Sequence, residues 1–304
     1  MAAARTAAAA TETGRALGRK VFDEVFDEAQ ALSDAGDNDG ALAKYLEALE
    51  LDFNSPAVLY NIGLNYKYRG AWKESFKYNR RASELRPGDE ATEWNLGIAA
   101  TALRDWKTTR SVWRGLGIEI EGDDGPIYGK FGQTPVRLNP DGDSEVVWAT
   151  RLCPVRARID SIPFPESGFA YGDVVLHDGA PMGYRLDSRG REKSVFNVLE
   201  MFEPGPFTTY VVDLVAESVE RVEAFQKLCE ARGLAAEDWA SSVNIICNAC
   251  SEGRPHDKHD HTPVKTEWKP ERQIAVVAKD DKDVEAVIEA WGGTVTEWGY
   301  ALKR

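Results

Sequence analysis

A period of 34 residues runs through the first third of the chain and constrains its fold more than any other feature. Let Phe22, Pro56 and Glu90 open three units. The eighth positions are then Ala29, Gly63 and Gly97, and the twentieth are Ala41, Ser75 and Thr109. Small residues at both places let two antiparallel helices approach closely. The fifteenth positions, Gly36, Gly70 and Arg104, fall at the turn between the helices. Ala48, Ala82 and Leu116 stand at position twenty-seven, Leu51 and Leu85 at position thirty, and Pro87 closes the second unit.

The middle unit, PAVLYNIGLNYKYRGAWKESFKYNRRASELRPGD, resembles the tetratricopeptide repeat almost throughout. The first unit departs from that pattern at Glu28 and Phe53, and the third at Leu116, Glu119 and Glu121. The resemblance covers residues 22–121 and implies a right-handed α-helical solenoid with a concave, partner-binding groove. By analogy with the family, the first helix of each unit turns positions five and nine toward that groove. Here these are Phe26, Tyr60 and Trp94, and Gln30, Leu64 and Ile98. The expected partner site is therefore Phe26, Tyr60, Leu64, Trp94 and Ile98, an apolar trough for a protein or peptide. The position-five aromatics fit equally well as packing between neighbouring helices. The trough lacks the Lys/Arg cluster with which some relatives grip a C-terminal carboxylate.

Charge is uneven along the repeats. Residues 22–55 hold ten acidic side chains and one base, Lys44, a net of −9; residues 56–89 hold three acids and seven bases, a net of +4. This gradient suits steering of a partner, and suits two solvated faces as well. The whole chain carries −13, which argues against nucleic-acid binding, because phosphate recognition needs a concentrated basic face. No apolar run approaches the length of a membrane span. The first residues, MAAARTAAAATETGRALGRK, lack the bulky apolar core of a secretory signal and read as a flexible tail or frayed helix over 1–21. Four cysteines in 304 residues make no disulfide framework, which points to a reducing, cytoplasmic setting.

From Gly122 the helical period gives way to short β-rich runs punctuated by Gly, Pro and Asp. Six strands are expected, near Thr134–Leu138, Glu145–Thr150, Val155–Ile162, Asp173–Leu176, Gly183–Leu186 and Val195–Met201. They predict a small all-β unit, barrel or sandwich, over 122–206. Turns are expected at Asn139–Asp143 and at Asp178-Gly179. The second places His177 and Asp178 at a strand end beside Asp173. That arrangement suits an acid/base pair or, more commonly, a turn histidine.

The last hundred residues alternate β and α. Strands are expected at Tyr210–Val215, Ser242–Cys247, Gln273–Ala278 and Thr294–Tyr300, with helices at Glu217–Arg232 and Asp281–Trp291. The order βαββαβ predicts an α+β, ferredoxin-like unit over 207–304 and a multidomain chain. Its long loop holds Cys247 and Cys250, then His256, His259 and His261. Thiolate and imidazole in this spacing suit zinc, with the two cysteines and two of the histidines closing a tetrahedral, structural site. A redox CxxC would need a helix start, and Ser251–Pro255 offers none. An exposed loop without metal is the bland alternative. Cys153 and Cys229 read as core residues.

Two functional classes follow. One is a protein–protein interaction or adaptor protein that grips its partner with the repeats. The other is a metal-dependent, hydrolase-like enzyme acting through the Cys/His loop.

Overall fold

Most helices of the first unit start where the sequence supplies a cap. A computed structural model describes residues 2–239 and 268–303, with side chains from residue 18 onward. It divides the chain into two compact units, residues 1–127 and 128–304.

In the first unit, six helices form three antiparallel pairs: α1 (Ala2–Asp34) with α2 (Asn38–Leu51), α3 (Pro56–Tyr68) with α4 (Trp72–Leu85), and α5 (Glu90–Ala102) with α6 (Trp106–Gly115). Carboxylates of Asp37, Asp89 and Asp105 accept the N–H of Gly40, Thr92 and Thr108 at 2.9–3.1 Å, satisfying donors that a helix start leaves open. Ser55 caps α3 more loosely, at 3.5 Å, and Pro56 follows at the first helical position. Ala71 has no side chain that can cap α4.

The three turns at position fifteen share one geometry. Gly36, Gly70 and Arg104 all adopt positive φ, at 81°, 65° and 59°. In each, the next N–H reaches back to the last helical turn: Asp37 to Leu32 O, Ala71 to Tyr66 O, and Asp105 to Ala100 O. Arg104 holds the left-handed conformation that glycine adopts in the other two turns without a Cβ penalty.

Ala29, Ala41, Tyr45, Ala48, Val58 and Ile62 form the core of the first pairs. Arg69 ties the end of α3 to the start of α2, donating to Asn38 O at 2.8 Å and to Asn65 Oδ1 at 2.7 Å. Beyond α6, Arg110 donates to the carbonyls of Gly122, Asp124 and Gly125 at 2.8–3.0 Å. The segment after the third pair is thus held as irregular chain against α6, with Ile120 and Ile127 buried.

The second unit opens with a closed barrel of five strands in order β1 (Gln133–Leu138), β2 (Glu145–Cys153), β3 (Arg156–Ile159), β4 (Val174–Leu186) and β5 (Glu192–Glu203). Val136, Leu138, Val147, Ala149, Ala157, Ile159, Val175 and Val198 fill it. The expected turn at Asn139–Asp143 joins β1 to β2.

The expected reversal at Asp178-Gly179 is absent, so the two strands read on either side of it are one, and the barrel has five strands rather than six. The Asp178 carboxylate still accepts the Gly179 N–H, at 2.7 Å, but this makes a bulge inside β4, where the register against β5 shifts. The chain reverses at Asp187–Arg191 instead. There Asp187 accepts the N–H groups of Arg189 and Arg191, both at 2.9 Å, and Gly190 takes a φ of 73°.

The chain then forms β6 (Thr208–Val215), α7 (Val219–Ala231), β7 (Ala235–Asp238), β8 (Glu271–Ala278), α8 (Asp281–Trp291) and β9 (Thr294–Leu302). The four strands pair antiparallel in the order β7-β8-β6-β9. The second strand of this unit is Ala235–Asp238; the expected strand at 242–247 lies outside the described residues. Val222, Phe225, Val284, Val287 and Trp291 of the two helices pack on Tyr210, Val212, Leu214, Ile274 and Val276. A separate cluster joins Ile162 and Phe164 of the barrel to Trp239, Ala275 and Val277 of the sheet.

Candidate functional site

Packing inside the repeats decides which position-five side chains are engaged. Within the first pair Phe26 meets Tyr45 at 5.9 Å, and within the third Trp94 meets Trp113 at 5.0 Å, rings tilted in both. Positions five and twenty-four thus face one another across a helix pair. In the middle pair position twenty-four is Asn79, fully buried, whose amide donates to Ser75 O at 2.9 Å. Ser75 in turn donates to Gly63 O at 2.9 Å. This polar replacement had no signal in the repeat positions used to set the register.

Phe26, Tyr60, Leu64 and Trp94 are all half-buried, so each keeps part of its side chain accessible. Ile98 differs. It is 1% exposed, and α5 is buried around its whole circumference from Asn95 to Thr101, so Ile98 offers no surface to a partner in this conformation. Gln30 is exposed. Charges that looked available in the sequence are partly engaged within the unit. Lys44 bridges Glu28 at 2.9 Å and Glu47 at 3.1 Å, and Arg81 donates to Phe53 O at 2.7 Å.

The barrel histidine fits neither expected arrangement, the turn histidine or the acid/base pair at a strand end. His177 is fully buried in mid-strand, and its Nδ1 contacts the carbonyl oxygen of Asp178, at 2.7 Å. A carbonyl only accepts, so Nδ1 carries the proton and Nε2 is left as a buried lone pair with no partner. Burial pushes the imidazole down to about 4, and Arg151 adds to the effect. Asp173 accepts the N–H groups of Ala170 and Gly205 instead. His177 thus sits inside a strand and not at a strand end, and burial keeps its imidazole neutral near neutral pH.

Cys247, Cys250, His256, His259 and His261 lie outside the described residues. Among the described residues no three His, Cys, Asp or Glu side chains come together to hold a metal. Cys153 and Cys229 are buried and free, as expected of core cysteines. No helix among the described residues is long and apolar enough to cross a membrane.

A family model described as TPR repeat matches residues 29–70. Solved structures similar to this chain include the Sgt2 TPR domain from Aspergillus fumigatus, 20% identical, with a TM-score of 0.29 over 31% of this chain and 62% of that one. Yeast Tom70 is 21% identical with a TM-score of 0.31, over 35% of this chain and 22% of that one. The first TPR of Spaghetti (RPAP3), solved bound to the HSP90 peptide SRMEEVD, is 15% identical with a TM-score of 0.30, over 31% of this chain and 75% of that one. This chain thus spans less than two thirds of the Sgt2 domain and of Tom70. No curated protein matches it. Residues 29–70 match the TPR repeat, and they lie in a unit of three antiparallel helix pairs spaced by the 34-residue period.

Proposed function

We propose that the protein is a binding or adaptor protein, and that it holds a protein or peptide partner along Phe26, Tyr60, Leu64 and Trp94. The observation that carries this reading is the recurrence of half-exposed apolar side chains on the first helix of each pair, 34 residues apart, within a tetratricopeptide-like solenoid. Aromatic side chains bury large area with little rotamer loss and dominate binding hot spots. Ile98 backs this surface rather than lining it. A cytoplasmic setting belongs to the same proposal and rests on the sparse cysteines.

The test is a pull-down with the full chain, followed by affinity measurement on the recovered partner. Changing Tyr60 to Ala and Leu64 to Ser together is expected to weaken binding by about 2 kcal/mol, roughly 30-fold, with the thermal midpoint kept. A fallen midpoint would assign these side chains to packing between helices. Unchanged folding with unchanged affinity would move the binding site elsewhere.

For the C-terminal part we propose a ferredoxin-like arrangement carrying a structural zinc. The strand order β7-β8-β6-β9, with α7 and α8 as the two crossovers, supports the first half of that reading. The ligand chemistry of Cys247 and Cys250 with two of His256, His259 and His261 supports the second. About one zinc per chain is expected in untagged protein expressed with added zinc. Elemental analysis giving a value near zero under reducing conditions would remove the metal from the account.

A further inference from the structure

The connector that leaves β3 is held at alternate residues by two glutamates from different sheets. The Ile162 N–H donates to Glu237 Oε1 of β7 at 3.2 Å, and the Phe164 N–H donates to Glu145 Oε2 of β2 at 3.1 Å. Between them the Ile162 carbonyl accepts from Trp239 Nε1 at 3.2 Å. The Phe164 and Trp239 rings meet at 5.2 Å, and both side chains pack with Ile162, Ala275 and Val277. Two carboxylates thus close an otherwise apolar joint between the barrel and the four-stranded sheet.

We infer that Glu145 and Glu237 form a pH-responsive latch, tightening the joint between barrel and sheet when protonated and loosening it when both are ionised.

Among the described residues, charged groups of both signs face the pair. Arg185 of β4 acts on both carboxylates, and its guanidinium also donates to Val146 O at 2.6 Å; Glu166 faces Glu145 as a third negative charge. Arg137 and Asp143 line the same cleft as Glu145 and Glu166. That cleft, of about 990 Å³ beside the β1–β2 turn, also takes in Asn139 and Phe164, so protons reach Glu145 without unfolding. Burial pushes Glu145 up to about 7, opposed by the Phe164 N–H and aided by the negative charge of Glu237. Burial raises Glu237 as well, opposed by the Ile162 N–H.

In an opened joint both groups meet water and titrate as ordinary glutamates. The closed joint holds a proton that the open one releases. Closure is therefore favoured below neutral pH, and that advantage is lost as pH rises through about 7.

Amide hydrogen exchange at Ile162 and Phe164 in the full chain tests the latch. After correction for intrinsic rates, protection at pH 6 is expected to exceed that at pH 8.5 by about tenfold. Glu145→Gln keeps an acceptor for the Phe164 N–H but cannot ionise, so protection should vary less with pH, leaving only the part that Glu237 contributes. Equal wild-type protection at the two pH values, or an unaltered slope in Glu145→Gln, would overturn the proposal. Should Glu145→Gln fail to fold, Glu237→Gln decides instead. Removing that charge should move the midpoint to lower pH, and a midpoint left in place would overturn the latch.

Discussion

Replacing Gly97 with leucine is expected to lower the stability of the helical unit by about 3 kcal/mol or more, a fall of roughly 10 °C in its thermal midpoint. A Cβ at Gly97 would stand only 2.6 Å from Cζ2 of Trp113. That ring has nowhere to move: it is fully buried and already lies against Trp94. Close-packed interiors transmit such an overlap instead of absorbing it. Gly63→Leu makes the comparison informative. There the added Cβ meets Asn79 Cγ at 2.7 Å, a smaller side chain anchored through its amide to Ser75. The middle pair should lose less than the third. A thermal melt of each variant reads the order, and no change at Gly97 would show that α5 and α6 do not pack at this register.

The same residues explain why the repeat was legible. Small side chains at positions eight and twenty and turn residues at position fifteen follow from local chemistry, and α2, α4 and α6 begin just after those turns. The strands of the barrel were legible from alternation, except where one local signal serves two purposes. Asp178-Gly179 has the chemistry of a turn, yet the same carboxylate-to-amide bond makes a bulge when a partner strand as long as β5 continues past it. The short strand β7 was not legible either. Ala-Ala-Glu-Asp has no apolar alternation, and it is held by tertiary pairing with β8 and by an ion pair of Asp238 with Arg272, both side chains 9% exposed. At the candidate site, position in the repeat picked out Phe26, Tyr60, Leu64 and Trp94, which are half-buried, as suits groove lining and packing between helices alike. It failed for Ile98, because burial around the full circumference of α5 is a property of the assembled unit and leaves no trace in the period. Glu145 and Glu237 gave no signal for the same reason: each looks like an ordinary surface acid until the barrel and sheet close over it.

Acidification is expected to cost the barrel about 3 kcal/mol through His177 alone. The imidazole titrates near 4 in the folded protein, below its ordinary value of 6.5, because its charged form would be buried beside Arg151. A base whose folded value is depressed takes up its proton first in the unfolded chain. The stabilising contribution is therefore complete above about pH 6.5 and is lost as pH falls toward 4. Glu145, raised to about 7, works in the opposite direction over much of that range, so the total stability of the second unit should vary less than either group predicts. Urea unfolding of wild type and His177→Gln separates them. Glutamine cannot take up the proton, so the difference in unfolding free energy between the two proteins should shift by about 3 kcal/mol from pH 7 to pH 4. The wild type should lose ground as the pH falls. Parallel profiles across that interval would mean that His177 accepts a proton in the folded barrel. That result would return it to consideration as a proton-transfer group with a route to solvent.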